Sequence, residues 1–327
     1  MPLSVVELCA GGGGQAIGLE RAGYDHAAVV EYEPLFCATL RLNRPEWNTL
    51  QMDLRQLRAR DYKGVDLLAA GVPCPPFSVA GKQLGPDDDR DMFPHVLEII
   101  DEARPRAVLI ENVPGLATSK FDDYRSGVLE RLRKLGYHSE WTVLQASDFG
   151  APQLRPRFVL VAIASGAAKF SWPIPTRKAP TVGEALLDLM ASEGWKGARA
   201  WALAANQIAP TLVGGSKKHG GPDLGPSRAK ASWRALGVDG MGIADLAPSA
   251  DAPVGHKPRL TLRMAARVQA FPDDWKFFGG KTASYRQIGN AFPSCVAEAV
   301  GKSLAAVLKK GAGSRVMRIG ISQGVQS

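Results

Sequence analysis

The sequence predicts an α/β protein built on a doubly wound, mostly parallel sheet, with a smaller loop-rich domain attached. Short apolar runs typical of buried strands alternate with stretches of helical periodicity through the first half of the chain. Glycine-rich, acidic or cysteine-containing turns follow several of these runs, at the strand ends where open α/β sheets bind ligands. Beyond Ser171, proline, glycine and lysine become frequent and the periodicity fades. We therefore expect a sheet domain over 1–171 and 273–310, a second domain over 172–272, and a disordered tail over 311–327.

Composition limits the class of protein before any motif is considered. The chain has 327 residues, enough for two domains at ~100–200 residues each, and its apolar content of 45% is that of an ordinary soluble protein. No apolar run approaches ~18 residues, and no basic region precedes an apolar one at the N-terminus, so neither a membrane span nor a signal peptide is expected. The net charge of +8 favours a polyanionic partner, although many cytosolic proteins are basic.

The cysteines indicate a reducing compartment. There are four of them, and no two lie at the spacing of metal ligands: Cys9, Cys37, Cys74 and Cys295. We therefore expect free thiols, a cytoplasmic protein and no metal site.

A glycine-rich turn joins the first predicted strand to the first predicted helix. Ser4–Cys9 is typical of a strand, Ala10–Gly14 contains four consecutive glycines, and the following helix ends at Gly23. Glycines between a strand and a helix let a ligand approach the backbone near the helix N-terminus. By itself such a turn is compatible with NAD, with a methyl donor or with nothing more than a tight turn.

Acidic residues follow the next two predicted strands. Glu31 and Tyr32 end the run Ala27–Val30, and Asp53 follows the run Asn48–Met52. A carboxylate one βα unit after a glycine-rich turn suits a hydrogen bond to a ribose hydroxyl, although a solvated glutamate explains the pattern equally well. Together the glycine-rich turn and the two carboxylates predict one nucleoside-binding edge.

A single cysteine marks the end of another predicted strand. The apolar run Val65–Leu68 is followed within a few residues by Cys74, which lies between Pro73 and Pro75. The prolines restrict the backbone, so the thiol would be presented rigidly at the strand end, as a candidate nucleophile. The alternative is that Cys74 is a small buried apolar residue. The polar stretch that follows, to Arg90, predicts a mobile surface loop.

A further carboxylate and a pair of arginines complete the candidate site. Glu111 ends the strand Ala107–Ile110, which places its carboxylate close to the Cys74 strand end. Arg155 and Arg157 open the strand Phe158–Ile163, and residues two apart in an extended segment point to the same face. A salt-bridged surface is the alternative for the arginines.

In their order, these stretches resemble the motifs of the C5-cytosine DNA methyltransferase family. The resemblance covers the chain except for about 172–258 and the tail, and the variable region falls between the eighth and ninth family motifs. The matching stretches are Ala10–Gly14, Pro73-Cys74, Glu111-Asn112-Val113, Gln153-x-Arg155-x-Arg157, Arg259–Pro272 and Tyr285–Pro293. The departures from the family pattern are Cys9 for phenylalanine, Pro75 for glutamine, Met264 for glutamate and Phe292 for valine.

The resemblance implies a methyl transfer from S-adenosylmethionine to C5 of cytosine. That chemistry needs a thiolate that adds to C6, which we assign to Cys74. It needs a group that protonates or hydrogen-bonds N3 and the exocyclic amine, which we assign to Glu111, and a cationic donor at O2. Arg157 is the better candidate for that donor, and Arg155 is its supporting neighbour.

The resemblance also implies a cofactor site along the first sheet edge. The turn would hold the methionine part of S-adenosylmethionine, Glu31 the ribose, Tyr32 the adenine face and Asp53 the adenine amine. The full set of expected cofactor residues is Cys9, Ala10, Gly11, Gly12, Gly13, Gly14, Glu31, Tyr32, Asp53, Leu54, Pro73, Asn290 and Ala291.

Double-stranded DNA is the expected partner. A base inside a duplex cannot reach such a site, so the target cytosine should be flipped out, at a cost of a few kcal/mol. Expected DNA contacts come from the loop after Cys74 and from a Thr-Leu element and basic turn in the variable region: Ser78, Lys82, Arg90, Thr211, Leu212, Lys217 and Lys218.

Rival interpretations use the same residues differently. An RNA cytosine methyltransferase would share the site, but the Thr211-Leu212 element resembles DNA-recognition domains. An NAD-dependent oxidoreductase would explain the glycine-rich turn and leave Cys74 and Glu111 without a purpose. An inactive DNA-binding protein would not need either residue. The favoured interpretation is a monomeric DNA methyltransferase, with a restriction endonuclease as a candidate functional companion.

Overall fold

A mixed sheet forms the centre of the fold. The computed structural model describes residues 2–73, 91–166, 169–175, 178–215 and 221–321, without the side chains of 311–321. Its strands are β1 (Leu3–Leu8), β2 (Tyr24–Glu31), β3 (Thr49–Gln51), β4 (Leu67–Gly71), β5 (Ala107–Asn112), β6 (Tyr137–Gln145) and β7 (Pro156–Ala164). The seven strands are ordered β3-β2-β1-β4-β5-β7-β6, and β7 runs antiparallel to the other six. The prediction of a doubly wound, mostly parallel sheet is confirmed.

Helices cover the sheet, and they are the regular secondary structure of the described chain after β7. They are α1 (Gly14–Arg21), α2 (Pro34–Asn43), α3 (Phe93–Ala103), α4 (Asp122–Lys134), α5 (Val182–Met190), α6 (Ala198–Ala204), α7 (Ser227–Ala235), α8 (Leu262–Val268), α9 (Lys281–Asn290) and α10 (Ser294–Ile321). Ala291 is extended and separates the last two helices. The last helix continues to Ile321, so 311–321, expected as part of the disordered tail, is helical.

The two faces of the sheet bury separate apolar clusters, because alternate residues of a strand point to opposite faces. Val6 and Leu68 belong to the cluster that packs against α3 and α4. Val5 and Leu67, their neighbours in sequence, belong to the cluster that packs against α1 and α10. Burial on both faces explains why β4 is a continuous apolar run and why β1 is mostly apolar.

A polar contact fixes the middle of α10 to the sheet. Arg106 donates to the carboxylate of Asp66 and to the carbonyl oxygen of Leu308, each over 2.5 Å. The hydroxyl and the backbone N–H of Ser4 donate to the other oxygen of Asp66. One carboxylate therefore connects the start of β1, the start of β5 and the last helix.

The region expected as a second domain shares a core with the sheet domain. One cluster contains Ile17 of α1 and Leu40 of α2 together with Trp233 of α7, Trp275 and Tyr285. The apolar contact between the two regions is therefore continuous, and their division at 172 and 272 stays a prediction.

One stretch of the described residues is long and apolar enough to cross a membrane by length and composition. It is Lys281–Lys310, and 61% of its most apolar window is buried inside the protein. The same test is passed by the core helix of a soluble protein, and this stretch packs against α1.

Gly18 lets α1 and α10 approach closely, and its replacement tests this contact. A Cβ atom at Gly18 would lie 2.4 Å from the carbonyl oxygen of Ser294 and 2.5 Å from Cβ of Ala297. We expect Gly18→Ala to lower the free energy of unfolding by ~1–3 kcal/mol, measured by urea denaturation, because overpacking forces the helices apart.

Gly127 provides the matched control, because it lies in α4 with no atom within 4 Å of an added Cβ. Gly127→Ala should raise the free energy of unfolding by ~0.5–1 kcal/mol through reduced backbone entropy. A Gly18→Ala variant as stable as Gly127→Ala would contradict the close packing of α1 on α10.

Candidate active site

The carboxyl ends of the parallel strands bring the predicted site residues to one edge of the sheet. Gly71 at the end of β4 pairs in register with Glu111 of β5. A Cβ atom at Gly71 would lie 3.3 Å from the carbonyl oxygen of Cys9, after β1, and 3.9 Å from a carboxylate oxygen of Glu111. The glycine-rich turn and the candidate acid therefore flank the strand that leads to Pro73.

Glu111 and Arg157 form a buried ion pair at this edge. Nε of Arg157 lies 2.8 Å from Oε1 of Glu111, and the two side chains are 9% and 11% exposed, respectively. Burial raises the pKa of Glu111 above its ordinary value, and the nearby charges of Arg157 and Arg155 oppose the rise without cancelling it. Glu111 is thus a carboxyl group that holds its proton to higher pH than a solvated glutamate.

Asn112 connects this carboxylate to the segment that leads to the candidate nucleophile. Its side-chain N–H donates to the carbonyl oxygen of Val72 over 3.3 Å, and its side-chain oxygen accepts from the backbone N–H of Val113. The sequence showed Asn112 beside Glu111 but gave no partner for it. The structure assigns it to holding the ends of β4 and β5 together.

Several predicted residues lie outside the described part of the chain. They are Cys74, Ser78, Lys82, Arg90, Lys217 and Lys218. Pro73, the last described residue before Cys74, is exposed. The assignments of Cys74 and of the other residues outside the described part of the chain stay predictions.

Arg155 has a different environment from Arg157, although the sequence predicted one shared face. Its side chain is 1% exposed. Its guanidinium donates to the carbonyl oxygens of Leu212 over 2.7 Å, Gly289 over 2.7 Å and Ala291 over 3.2 Å. Arg157 is thus the arginine paired with the candidate acid, and Arg155 is held by backbone carbonyls of two other segments.

The glycine-rich turn is glycine for two separate reasons. Gly11 and Gly13 have φ angles of 58° and 92°, which favour glycine, and an added Cβ at Gly11 would meet open space. A Cβ atom at Gly12 would lie 3.0 Å from Cβ of Gln287, and one at Gly13 would lie 2.7 Å from the Trp275 ring. A Cβ atom at Gly14 would lie 2.4 Å from the carbonyl oxygen of Phe292. Close approach by the protein itself explains these three glycines, and only Gly11 faces open space.

Glu31 fixes the turn from the neighbouring strand. Its two carboxylate oxygens accept hydrogen bonds from the backbone N–H groups of Gly11 over 2.7 Å and Glu33 over 2.8 Å. Burial raises the pKa of Glu31, and these two bonds oppose the rise. Glu31 is therefore built into the turn, next to Tyr32, which is 65% exposed at the same edge.

Asp53 lies at the end of β3 as predicted, and it is paired. Its carboxylate accepts from the backbone N–H of Arg55 over 3.0 Å and from Nε of the same residue over 2.9 Å. The Arg55 guanidinium lowers the pKa of Asp53 to about 2, so the carboxylate is ionised at neutral pH. Leu54 is buried behind it.

The described cysteines are poor thiolate sources. Burial raises the pKa of Cys37 to about 11 and that of Cys295 to about 11. Burial and the charge of Glu31 raise the pKa of Cys9 as well, and Cys9 adopts a positive φ of 55° at the start of the turn. A thiol whose pKa is raised is a weak nucleophile at neutral pH.

The Thr-Leu element is anchored to the sheet domain. Leu212 is 1% exposed, and its backbone N–H donates to Oε1 of Gln153 over 2.7 Å. Its side chain packs in the shared core, and the contact of Leu212 with DNA stays a prediction. The hydroxyl of Thr211 donates to the carbonyl oxygen of Leu154 over 2.5 Å, and Thr211 remains partly exposed.

The expected cofactor residues Asn290 and Ala291 lie where the last two helices meet. The Ala291 carbonyl oxygen accepts from Arg155 and from Gln269. The side chain of Asn290 is exposed and donates to the carbonyl oxygen of Gly215 over 3.2 Å. This contact with the variable region could not be read from the sequence, because Asn290 and Gly215 are far apart in the chain.

The sheet order, with one antiparallel strand and a glycine-rich turn after β1, defines the α/β methyltransferase fold. Solved methyltransferases share it: S. pombe Dnmt2 has a TM-score of 0.62 at 18% identity, covering 94% of this chain and 98% of its own. Entamoeba histolytica EhMeth has a TM-score of 0.65 at 15% identity, covering 95% of this chain and 99% of its own.

The chain belongs to the C-5 cytosine-specific DNA methylase family, whose model matches residues 3–306. The type II methyltransferase M.NaeI of Lentzea aerocolonigenes is 56% identical, over 94% of this chain and 75% of its own length. M.NgoMIV of Neisseria gonorrhoeae is 50% identical, over 95% of this chain and 99% of its own. The protein is therefore a DNA cytosine methyltransferase of the restriction-modification type.

The role of Glu31 in shaping the turn can be tested without any ligand. Glu31→Ala leaves the N–H groups of Gly11 and Glu33 unpaired, so we expect the free energy of unfolding to fall by ~1–3 kcal/mol. Glu46→Ala is the matched control, because the Glu46 side chain is 64% exposed and its carboxylate lies 3.9 Å from Nε of Arg44. Equal stability of the two variants in denaturant titrations would remove Glu31 from this role.

Proposed function

We propose that this protein transfers a methyl group from S-adenosylmethionine to C5 of a flipped-out cytosine in a specific duplex DNA site, through a covalent adduct of Cys74. The buried Glu111–Arg157 pair carries the proposal, because it sits beside the strand end that leads to Cys74. A carboxyl group with a raised pKa and a fixed guanidinium are what activation of a cytosine ring needs.

The described residues of the first edge fit S-adenosylmethionine. Gly11 offers backbone with open space above it, Tyr32 offers an exposed ring, and the Asp53 carboxylate is ionised. In the proposal, the Cys9–Gly14 turn holds the methionine part, Glu31 the ribose, Tyr32 the adenine face and Asp53 the adenine amine. When bound, the cofactor supplies an electrophilic methyl group on a sulfonium sulfur.

Cys74 makes the target carbon nucleophilic. The thiolate adds to C6 of cytosine, so that a C–S bond forms and the electron pair of the C5–C6 double bond moves toward C5. Glu111 gives its proton to N3, and Arg157 donates to O2, which together accept the charge displaced through the ring. C5 would thereby become the nucleophile for the methyl group that bound S-adenosylmethionine supplies, and the sulfonium sulfur would keep the electron pair of the broken bond.

Release of the product restores the ring. The C5 proton leaves, the C6–S bond breaks with its electrons returning to Cys74, and Glu111 recovers its proton from N3. The family resemblance favours water as the acceptor of the C5 proton.

DNA is the proposed substrate rather than RNA. The relatives that match nearly the whole chain, including the region 172–258, are named as type II methyltransferases. Backbone phosphates would be contacted by Ser78, Lys82 and Arg90, and the recognised sequence by Thr211, Lys217 and Lys218. We further propose that the protein acts as a monomer and protects DNA against a restriction endonuclease of the same specificity.

Trapping with 5-fluorocytosine tests the covalent step. Fluorine at C5 cannot leave as a cation, so a fluorinated duplex should hold the enzyme as an adduct that survives denaturing electrophoresis and requires S-adenosylmethionine. Cys74→Ala should form no adduct, whereas Cys9→Ala, Cys37→Ala and Cys295→Ala should still form it. An adduct mapped by mass spectrometry to another cysteine, or methylation by Cys74→Ala, would refute the mechanism.

The rate of methyl transfer should depend on pH in two opposite ways. Raising the pH favours the Cys74 thiolate, but it removes the proton that Glu111 must give to N3, so single-turnover rates should rise and then fall. The descending limb should lie above the ordinary carboxyl pKa, because burial raises the pKa of Glu111. Glu111→Gln should lower the rate strongly and abolish that limb; a descending limb that persists in Glu111→Gln belongs to another group.

A further inference from the structure

The variable region enters the site through one extended segment, residues 209–215, here named the recognition segment. Its start pairs with the chain before β7: the Ala209 N–H donates to the Pro152 carbonyl oxygen, and the Leu154 N–H donates to that of Ala209. Leu212 and Gly214 are buried, whereas Thr211 is partly exposed and Val213 is 39% exposed. The segment therefore keeps alternate residues inside and presents Thr211 and Val213 outward.

Side chains from two other elements hold the inner side of this segment. Arg155 bridges the Leu212 carbonyl oxygen and the Gly289 carbonyl oxygen, each over 2.7 Å. Asn290, next to Gly289, donates to the carbonyl oxygen of Gly215. The recognition segment is thus fixed to the end of α9 at both Leu212 and Gly215.

The contact leaves no room for the segment to slide. A Cβ atom at Gly214 would lie 2.6 Å from Oδ1 of Asn290, and one at Gly289 would lie 2.4 Å from Cα of Gly214. The backbone of the segment therefore packs directly on the backbone of α9, between the hydrogen bond from Arg155 and the hydrogen bond from Asn290. A displacement of the segment breaks these hydrogen bonds instead of being absorbed by flexible side chains.

The same short stretch of chain also positions the catalytic pair. Arg157 is two residues from Arg155 and contacts Glu111 at 2.8 Å. The start of β7 thus holds the recognition segment with one arginine and the candidate acid with the next. Within three residues, the chain therefore contacts both the recognition segment, through Arg155, and Glu111, through Arg157.

We propose that Arg155 and Asn290 are positioning residues for site selection. They hold Thr211 and Val213 in register with the pocket formed by Glu111 and Arg157, so that methylation occurs only when the bases read by the segment stand at the correct distance from the flipped cytosine. This inference rests on the proposed function and adds a specificity role to residues expected only at the cofactor and at the base.

Bisulfite sequencing of one plasmid preparation treated with each variant gives the decisive measurement, because it reports the preferred site and its one-base variants in the same reaction. We expect Asn290→Ala and Arg155→Lys to lower the ratio of methylation at the preferred site to that at near sites by about tenfold, the size of one weakened base discrimination. A lysine ammonium cannot span the carbonyl oxygens of Leu212 and Gly289 as the guanidinium does.

Asn206→Ala and Arg199→Lys are the matched controls, because both side chains are exposed in the same region and lie outside the recognition segment and its contacts. Both should keep the wild-type ratio. A variant that is merely less stable loses methylation at all sites alike and leaves the ratio unchanged. Asn290→Ala, whose side chain is exposed, decides the question alone if Arg155→Lys does not fold.

Two outcomes would overturn the inference. An unchanged ratio in Asn290→Ala excludes the positioning role. If Asn290→Ala lowers the affinity for S-adenosylhomocysteine in the absence of DNA and leaves the methylation ratio unchanged, Asn290 acts only at the cofactor site. Failure of the wild-type protein to methylate cytosine in any plasmid site is a separate result, which would count against the proposed function itself.

Discussion

The close approach of the glycine-rich turn and α1 to the last two helices is the constraint on which the rest of the structure depends. Gly12, Gly13 and Gly14 each face a residue between Trp275 and Phe292, and the indole N–H of Trp275 donates to the Gly12 carbonyl oxygen over 3.1 Å. The first and last parts of the chain therefore build one edge of the sheet together. The part of the chain between them, including the variable region, is therefore an insertion between two segments that pack against each other.

The buried ion pair of Glu111 and Arg157 at this edge of the sheet serves the proposed reaction at some cost to the stability of the fold. Removing two charges from water costs several kcal/mol, and a pair at this depth is rarely a net source of stability. Its value lies in what burial does to the carboxyl group, whose pKa rises in spite of the arginine beside it. Asn112 and the register of β4 on β5 hold the strand ends in place, so that the pair does not relax toward solvent.

The sequence allowed accurate prediction wherever a residue's position follows from its own strand. Glu31, Asp53 and Glu111 were placed at strand ends by apolar runs alone, and the structure puts them there. Strand β6 was not predicted, because as a partly exposed edge strand it lacks a continuous apolar run. Arg155, Leu212 and Asn290 also have protein partners in segments far away in the chain, which the sequence did not indicate. No local pattern reveals such partners, since they exist only after the chain has folded.

The hydrogen bonds that hold the recognition segment have a consequence for how new specificities could arise. Arg155 and Asn290 bind carbonyl oxygens of Leu212 and Gly215, which every amino acid provides, and the backbone contact requires only glycine at position 214. The attachment is thus nearly indifferent to the side chains that it displays. A foreign insert of different length and composition could be grafted between β7 and α8 and still dock, provided that it offers an extended strand with glycine at the matching place.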